Sequence, residues 1–176
     1  VKNIIEKSEI IMSDVYIKMF VSCIANDINI KYKDRLLTVV PILDAAFMFT
    51  SDLVKHIKTD LEFCFIKVIS YHDGVPTHPE LYVNFQPNNI KSKDILIIDT
   101  IVDSGNTTRV VKNYLEGLSP NSIKICALVV KNNKDNKDIY VDFSGVVNID
   151  GFLFGYGTDY KDGTCRNLEH IYRSKG

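Results

Sequence analysis

Apolar residues recur along this chain with two alternating periods, and the alternation predicts the fold class. From Glu9 to about Ile28, Ile10, Ile17, Val21, Ile24 and Ile28 fall at three-, four- or seven-residue steps, the spacing of one helical face able to cover a sheet. Leu36 to Leu43 is a short aliphatic run. Phe49, Leu53 and Ile57 then keep helical spacing within Ala45 to Ile57, so the chain turns from strand to helix near Asp44. Leu61 to Ser70 reads as a strand. Tyr71 to Pro79 carries Gly74, Pro76 and Pro79, which break both periods and predict a long exposed loop. Asp94 to Asp99 is nearly continuous in its apolar character, as in a strand covered on both faces, and Asn106 to Leu118 returns to helical spacing through Val110, Val111, Tyr114 and Leu115. Ile123 to Val130 is another buried strand, and Tyr140 to Tyr156 reads as shorter strands with turns at Gly145 and Gly151. Strands alternating with helices imply a parallel-sheet α/β fold with an irregular segment appended.

Length and composition narrow the choice. A chain of 176 residues with 45% hydrophobic content suits one domain, which buries roughly 70% of its unfolded surface. Lys and Arg number 21 against 22 Asp and Glu, so the net charge of -1 offers no broad cationic field for nucleic acid or an anionic membrane. The stretch Leu36 to Phe49 is interrupted by Thr38, Pro41 and Asp44 and falls short of the about 20 apolar residues that span a bilayer. Cys23, Cys64, Cys126 and Cys165 form no CxxC pair, which argues against structural zinc and for free thiols in a reducing cytoplasm. No secretory signal is expected, and the start at Val1 is read as trimming of the natural start.

The densest chemistry lies in Ile95 to Thr108. A buried strand delivers two carboxylates, Asp99 and Asp103, to its C-terminal end, where a Ser-Gly-Asn-Thr-Thr turn opens a helix. Backbone N–H groups at that helix start, with the hydroxyls of Ser104, Thr107 and Thr108, make a cradle for a phosphate, and Gly105 permits close backbone approach. Ser104 is also a residue type that caps helices, and the bare turn leaves both roles open.

The whole segment resembles the phosphoribosyl pyrophosphate (PRPP) signature of the purine phosphoribosyltransferases: an aliphatic strand, two acidic positions, two aliphatics, then Asp-Thr/Ser-Gly-x-Thr. Further blocks follow in the order of the hypoxanthine phosphoribosyltransferases. They are Pro41 to Phe49 with Asp52-Leu53, Lys67-Val68-Ile69-Ser70-Tyr71, Val130-Lys131, Phe152 to Asp159, and Arg166-Asn167-Leu168. The blocks span Pro41 to Leu168 and leave the N-terminal helix outside them.

The resemblance implies a type I phosphoribosyltransferase-like α/β fold. Residues 1–176 would form a single domain, its parallel sheet flanked by helices, with a small hood subdomain from the chain ends. It implies transfer of the 5-phosphoribosyl group from PRPP to hypoxanthine or guanine with Mg²⁺, in cytoplasmic purine salvage. A PRPP- or nucleotide-binding regulator, or a catalytically impaired relative, is the alternative on the same fold. By resemblance Asp103 is the carboxylate beside purine N7 that acts as general base or proton holder, and Ser104, Gly105, Asn106 and Thr107 bind the 5′-phosphate. Asp99 meets the ribose hydroxyls and magnesium, with Thr100 at the second acidic position. Leu43 and Asp44 lie in the pyrophosphate loop, and Arg166 meets pyrophosphate. Lys131 donates to the purine O6, Phe152 stacks on the base, the Leu153 backbone faces it, and Asp159 stands near the second magnesium. Ser70 and Tyr71 begin a mobile loop at about 71–83. His72 and His78 share that loop without a third ligand, so no metal site is expected there. The partners implied are small-molecule substrates, without nucleic acid or membrane, in a homodimer or homotetramer.

Three positions depart from the family pattern. Thr100 replaces a carboxylate, leaving one fewer negative charge near ribose and magnesium. Asp44-Ala45-Ala46 replaces Lys or Asn followed by Gly and a small residue, in a loop that often holds a non-proline cis peptide; an Asp there repels pyrophosphate unless magnesium intervenes, and Ala45 tolerates positive φ less well than Gly. Asn106 stands where some members have Lys. The departures cluster on the pyrophosphate side, which points to reduced activity rather than a changed base class.

Overall fold

Two sheets organise the computed structural model, which describes residues 1–72, 75–161 and 163–175, without the side chains of 70–72 and 75–79. The larger sheet has the order β5-β4-β2-β6-β7-β8, with β3 also paired to β2. Its strands are β2 (Leu37–Leu43), β3 (Leu61–Phe63), β4 (Ile66–His72), β5 (Val75–Val83), β6 (Asp94–Val102), β7 (Ser122–Lys131) and β8 (Phe143–Ile149). β2, β6, β7 and β8 run parallel, as do the β2 pairings with β3 and β4; only β5 is antiparallel to its neighbour.

Alternation along β6 divides the core. Leu96 and Ile98 face a cluster that includes Ile17, Val21, Ile24 and Ile28 of α2 (Asp14–Lys31) and Phe49 and Leu53 of α3 (Phe47–Val54). Ile95 and Ile97 face the opposite cluster, with Val111 and Leu115 of α4 (Asn106–Glu116). β6 is therefore covered on both faces, as its continuous apolar run requires. Each fully buried aliphatic side chain contributes about 1.5–3 kcal/mol. Cys64 and Cys126 are buried free thiols in these layers, Cys165 is a buried free thiol packed with Phe154 and Tyr172, and Cys23 is exposed.

The smaller sheet joins the chain ends in the order β1-β10-β9. It comprises β1 (Ser8–Met12), β10 (Ile171–Ser174) and β9 (Leu153–Phe154), preceded by the short α1 (Lys2–Glu6). Phe154 stacks on Tyr172 across the pair, with ring centroids 5.5 Å apart.

The structure corrects several boundaries. The helix expected from Glu9 begins only at Asp14; Ile10 lies on β1 and is exposed, because Ser13 has an extended backbone that separates strand from helix. The strand expected over Leu61 to Ser70 is two strands interrupted at Cys64 and Phe65. The segment read as a loop at 71–83 is largely the antiparallel β4–β5 hairpin, with Tyr71 paired to Pro76 and Ile66 to Val83. β5 is an edge strand, the place in a sheet where Pro76 and Pro79 are tolerated. Asp73 and Gly74 of the expected mobile loop lie outside the described residues. Gly145, expected in a turn, is inside β8, where a Cβ would sit 2.6 Å from the Leu128 carbonyl oxygen of β7.

Candidate active site

Parallel strands in register bring their carboxyl ends to one edge of the sheet, the place where α/β folds bind ligands. β2 ends at Leu43, β6 leads into Asp103, and β7 ends at Lys131. Register pairs Val102 with Val130, so the residues that follow, Asp103 and Lys131, emerge side by side.

The Lys131 ammonium contacts Asp103 Oδ2 at 2.5 Å, and Asn133 Nδ2 donates to Asp103 Oδ1 at 2.8 Å. Partial burial pushes the Asp103 carboxyl up, but the Lys131 and Asn133 hydrogen bonds outweigh it and hold the group below its ordinary pKa. Asp103 is therefore an ionised proton acceptor at neutral pH. Lys131 is mostly buried, which directs its ammonium along the cleft wall rather than into solvent.

That wall belongs to a cleft of about 710 Å³ lined by Asp103, Lys131, Phe152, Leu153, Asp159 and Tyr160, among others. The volume lies within the range of small-molecule sites. Phe152 is exposed on this cleft, in a T-shaped pair with Tyr160 at 5.6 Å and with the Lys161 ammonium 5.9 Å from its ring centroid. The cleft thus offers an aromatic face, an ammonium donor and a carboxylate acceptor together.

Beside it, Asp99 and Asp103 to Thr108 surround a smaller pocket of about 80 Å³. Gly105 begins α4 with φ +75°, a conformation that glycine adopts without penalty, and a Cβ there would meet Ile139 at 2.8 Å. No side chain caps α4, and the Asn106 N–H approaches Ser104 Oγ only at 3.4 Å. The start of α4 and the residues Ser104 and Thr107 therefore border a pocket suited to an anion.

Asp99 is buried at the rear of this pocket. Burial pushes its carboxyl up to about 6, against the backbone N–H groups of Thr100 and Ile101 and the Thr108 hydroxyl, which lies 3.4 Å away. Among the described residues no cation pairs with it. A buried carboxylate lacking a counter-charge, with hydroxyl oxygens nearby, fits a hard divalent cation. No group of three or more His, Cys, Asp or Glu side chains suited to a metal occurs among the described residues.

Thr100 stands within β6 at the second acidic position of the signature. It is fully buried, and its hydroxyl donates 3.0 Å to the Ala45 carbonyl, so it supports the turn after β2. The Leu43–Asp44 peptide in that turn is cis, and neither Asp44 nor Ala45 has a positive φ, so alanine is accommodated where glycine was expected. Asp44 forms a 2.7 Å ion pair with Lys67, which the parallel pairing of Leu43 with Lys67 places alongside. The negative charge expected to repel pyrophosphate thus arrives with its own cation. Arg166, expected at pyrophosphate, donates to the Gly157 carbonyl at 2.8 Å and pairs with Asp159 at 3.1 Å. The Ser70 and Tyr71 backbones belong to β4; their side chains lie outside the described residues.

Sequence reasoning gave no role to Asn133 and Asn136. Asn136 Nδ2 donates to the backbone carbonyls of Asp103 at 2.7 Å and Lys131 at 3.0 Å, joining the two strand ends. Lys67 was visible only as part of a matching block; its pairing with Asp44 depends on strand register.

The phosphoribosyl transferase domain family matches residues 14–161. A hypoxanthine-guanine phosphoribosyltransferase of Staphylococcus epidermidis is 38% identical over 141 residues, covering 80% of this chain and 78% of the relative. Among solved structures, a hypoxanthine phosphoribosyltransferase of Staphylococcus aureus aligns with TM-score 0.84 at 31% identity, covering 95% of this chain and 91% of that one. A hypoxanthine-guanine phosphoribosyltransferase of Bacillus anthracis aligns with TM-score 0.83 at 27% identity, covering 94% and 97%. With a signature turn, a sheet edge and relatives in agreement, the chain belongs to the hypoxanthine-guanine phosphoribosyltransferase family.

Proposed function

We propose that this protein transfers the 5-phosphoribosyl group of PRPP to hypoxanthine or guanine, giving the nucleoside monophosphate and pyrophosphate in purine salvage. The observation that carries the proposal is the pairing of Asp103 with Lys131 on the wall of a cleft that also exposes the Phe152 ring.

In this reading the purine lies against Phe152, with its O6 accepting from Lys131 and its N7–H directed at Asp103. The N9 lone pair forms a bond to the anomeric carbon as the bond from that carbon to pyrophosphate breaks, the electron pair leaving with pyrophosphate. The N7 proton passes to Asp103, which its hydrogen bonds keep ionised beforehand. Adenine presents an amino group where O6 would be, opposing one donor to another and leaving the Lys131 ammonium unpaired. The Ser104 to Thr107 turn holds the 5′-phosphate, and the turn at Leu43 and Asp44, with Arg166 behind Asp159, borders pyrophosphate. Asp99 and Asp159 would hold Mg²⁺ together with substrate oxygens, and the bound ion would offset the charge of the departing pyrophosphate. The β4–β5 hairpin, entered through Ser70 and Tyr71, is the segment assigned to cover the site, with the small sheet of the chain ends as the hood.

The matched signature and the small-molecule cleft support small substrates rather than nucleic acid, and no described helix is long and apolar enough to cross a membrane. A cytoplasmic location and a homodimeric or homotetrameric assembly complete the proposal.

The test is chromatographic detection of the nucleotide from PRPP and each base, with and without a magnesium chelator. Magnesium-dependent inosine or guanosine monophosphate is the expected product. Folded protein that yields neither would overturn the reading.

A further inference from the structure

The Asp103 carboxylate has a donor on each oxygen: Lys131 on Oδ2 and Asn133 on Oδ1. Under the proposed reaction, on which this inference rests, Lys131 turns to the purine O6 and leaves Oδ2 free for the N7 proton. Asn133 is then the side-chain donor that remains on the carboxylate.

The Asn133 amide has one orientation that satisfies both of its ends. Its Oδ1 accepts the Asp135 backbone N–H at 3.0 Å, capping the single 3-10 turn Lys134–Asn136, and this directs Nδ2 toward Asp103. The turn is itself anchored. The Arg109 guanidinium on α4 grips both oxygens of Asp138, at 2.8 and 2.5 Å, and donates to the Asp135 carbonyl at 3.0 Å. Asn136 ties the same segment to the Asp103 and Lys131 carbonyls. A polar run between β7 and β8 is thus a strap across the start of α4, and it ends in a donor aimed at one carboxylate oxygen.

We infer that Asn133 is a positioning residue: it fixes the Asp103 carboxylate by Oδ1, so that Oδ2 receives the purine proton once Lys131 has turned to the base. Asn133 touches no reacting atom and acts only through Asp103. The charged groups that share a pocket with Asp103 are Lys131 from β7, Asp99 from β6, and Asp159 and Lys161 of the cleft, and the hydrogen bond to Oδ1 comes from Asn133.

The test separates capping from positioning. In Asn133→Ser a hydroxyl can still cap the turn but is too short to reach Asp103, whereas Asn133→Ala removes both bonds. The inference expects kcat to fall by about threefold to tenfold in both variants, the loss of one hydrogen bond to a charged group, with KM for PRPP little changed. The acid limb of kcat/KM should move to higher pH in both. Asn133→Asp, which caps the turn but sets a carboxylate against Asp103, should move it further. If Asn133→Ser keeps wild-type kcat and pH profile while Asn133→Ala loses only thermal stability, Asn133 is a cap alone and the inference fails. The Asp103 carboxyl is also titrated by carbon-detected NMR in ligand-free protein. Its midpoint should rise from wild type to Asn133→Ser, and an unchanged midpoint overturns the inference. That readout holds even if wild type turns over no base, a result that counts against the proposed function instead.

Discussion

The Thr100 hydroxyl donates to the Ala45 carbonyl oxygen at 3.0 Å, across 55 positions of sequence. The residue that stands at the second acidic position of the signature therefore supports the turn after β2. Gly157 closes on the same carbonyl from the other side, where a Cβ would lie 2.2 Å from the oxygen. The turn assigned to border pyrophosphate is thereby held by one hydroxyl and one missing side chain.

Thr100→Val keeps the shape of the side chain and removes the donor. It should destabilise the fold by about 0.5–1.5 kcal/mol, the net worth of one hydrogen bond, and raise KM for PRPP more than KM for the base. Restoring the family carboxylate with Thr100→Asp should not raise activity, since it would bury a carboxylate against the Ala45 carbonyl. Steady-state kinetics with each substrate varied in turn, beside thermal melts, checks both variants. A gain of activity in Thr100→Asp would contradict the assignment.

Gly157→Ala tests the other side of that turn. Gly157 has φ +95°, and its Cβ would collide with backbone rather than with a flexible side chain. The expected loss is about 1–3 kcal/mol from the backbone conformation, and more from the collision. Denaturant unfolding measures it, and a wild-type midpoint would show that the approach is looser than the structure has it.

Much of the site was legible because its chemistry sits in one contiguous segment. Asp99, Asp103 and the Ser104 to Thr107 turn follow a strand whose apolar run is unmistakable, and strand alternation then fixes the core on both faces of β6. Contacts between segments were not legible. Thr100 meets Ala45 and Asp44 meets Lys67 only because β2 lies between β4 and β6, an order that local periodicity does not encode. Asn133 and Asn136 lie in a polar run where the apolar period is silent, so their donors to Asp103 had no sequence signal. The β4–β5 pairing was misread because Pro76 and Pro79, which break central strands, are tolerated at a sheet edge.

Acid stability should depend on Asp94, at the start of β6. Burial pushes its carboxyl up, but hydrogen bonds from Ser122 and Asn121, at 2.6 and 2.7 Å, and the Arg35 ion pair bring it below its ordinary value. A lowered folded-state pKa stabilises the protein at pH above the unfolded value of about 3.9, and that contribution is lost as pH falls through the folded value. Asp94→Asn should cost about 1.5–3 kcal/mol at neutral pH, the range for hydrogen bonds to a charged group, and the gap to wild type should shrink as the pH is lowered. Urea midpoints measured across acidic pH test this, and a gap that widens toward low pH would reverse the sign.

Lys131→Gln should leave a donor for O6 without the charge that holds Asp103 ionised. The expected result is a higher KM for hypoxanthine and guanine, an acid limb moved to higher pH, and unchanged KM for PRPP. Kinetics at several pH values would show it; a variant altered only in KM for PRPP would place Lys131 on the wrong substrate.

The central claim is that Asp103 and Lys131 together serve a 6-oxopurine. Its most direct test is kcat/KM for hypoxanthine, guanine and adenine with saturating PRPP and magnesium, for wild type and Asp103→Asn in parallel. The account predicts turnover of hypoxanthine or guanine, little with adenine, and a fall in kcat of about 10²–10⁴ in Asp103→Asn, the range for loss of a positioned proton acceptor. Equal use of adenine, or an Asp103→Asn variant with wild-type kcat, would contradict it.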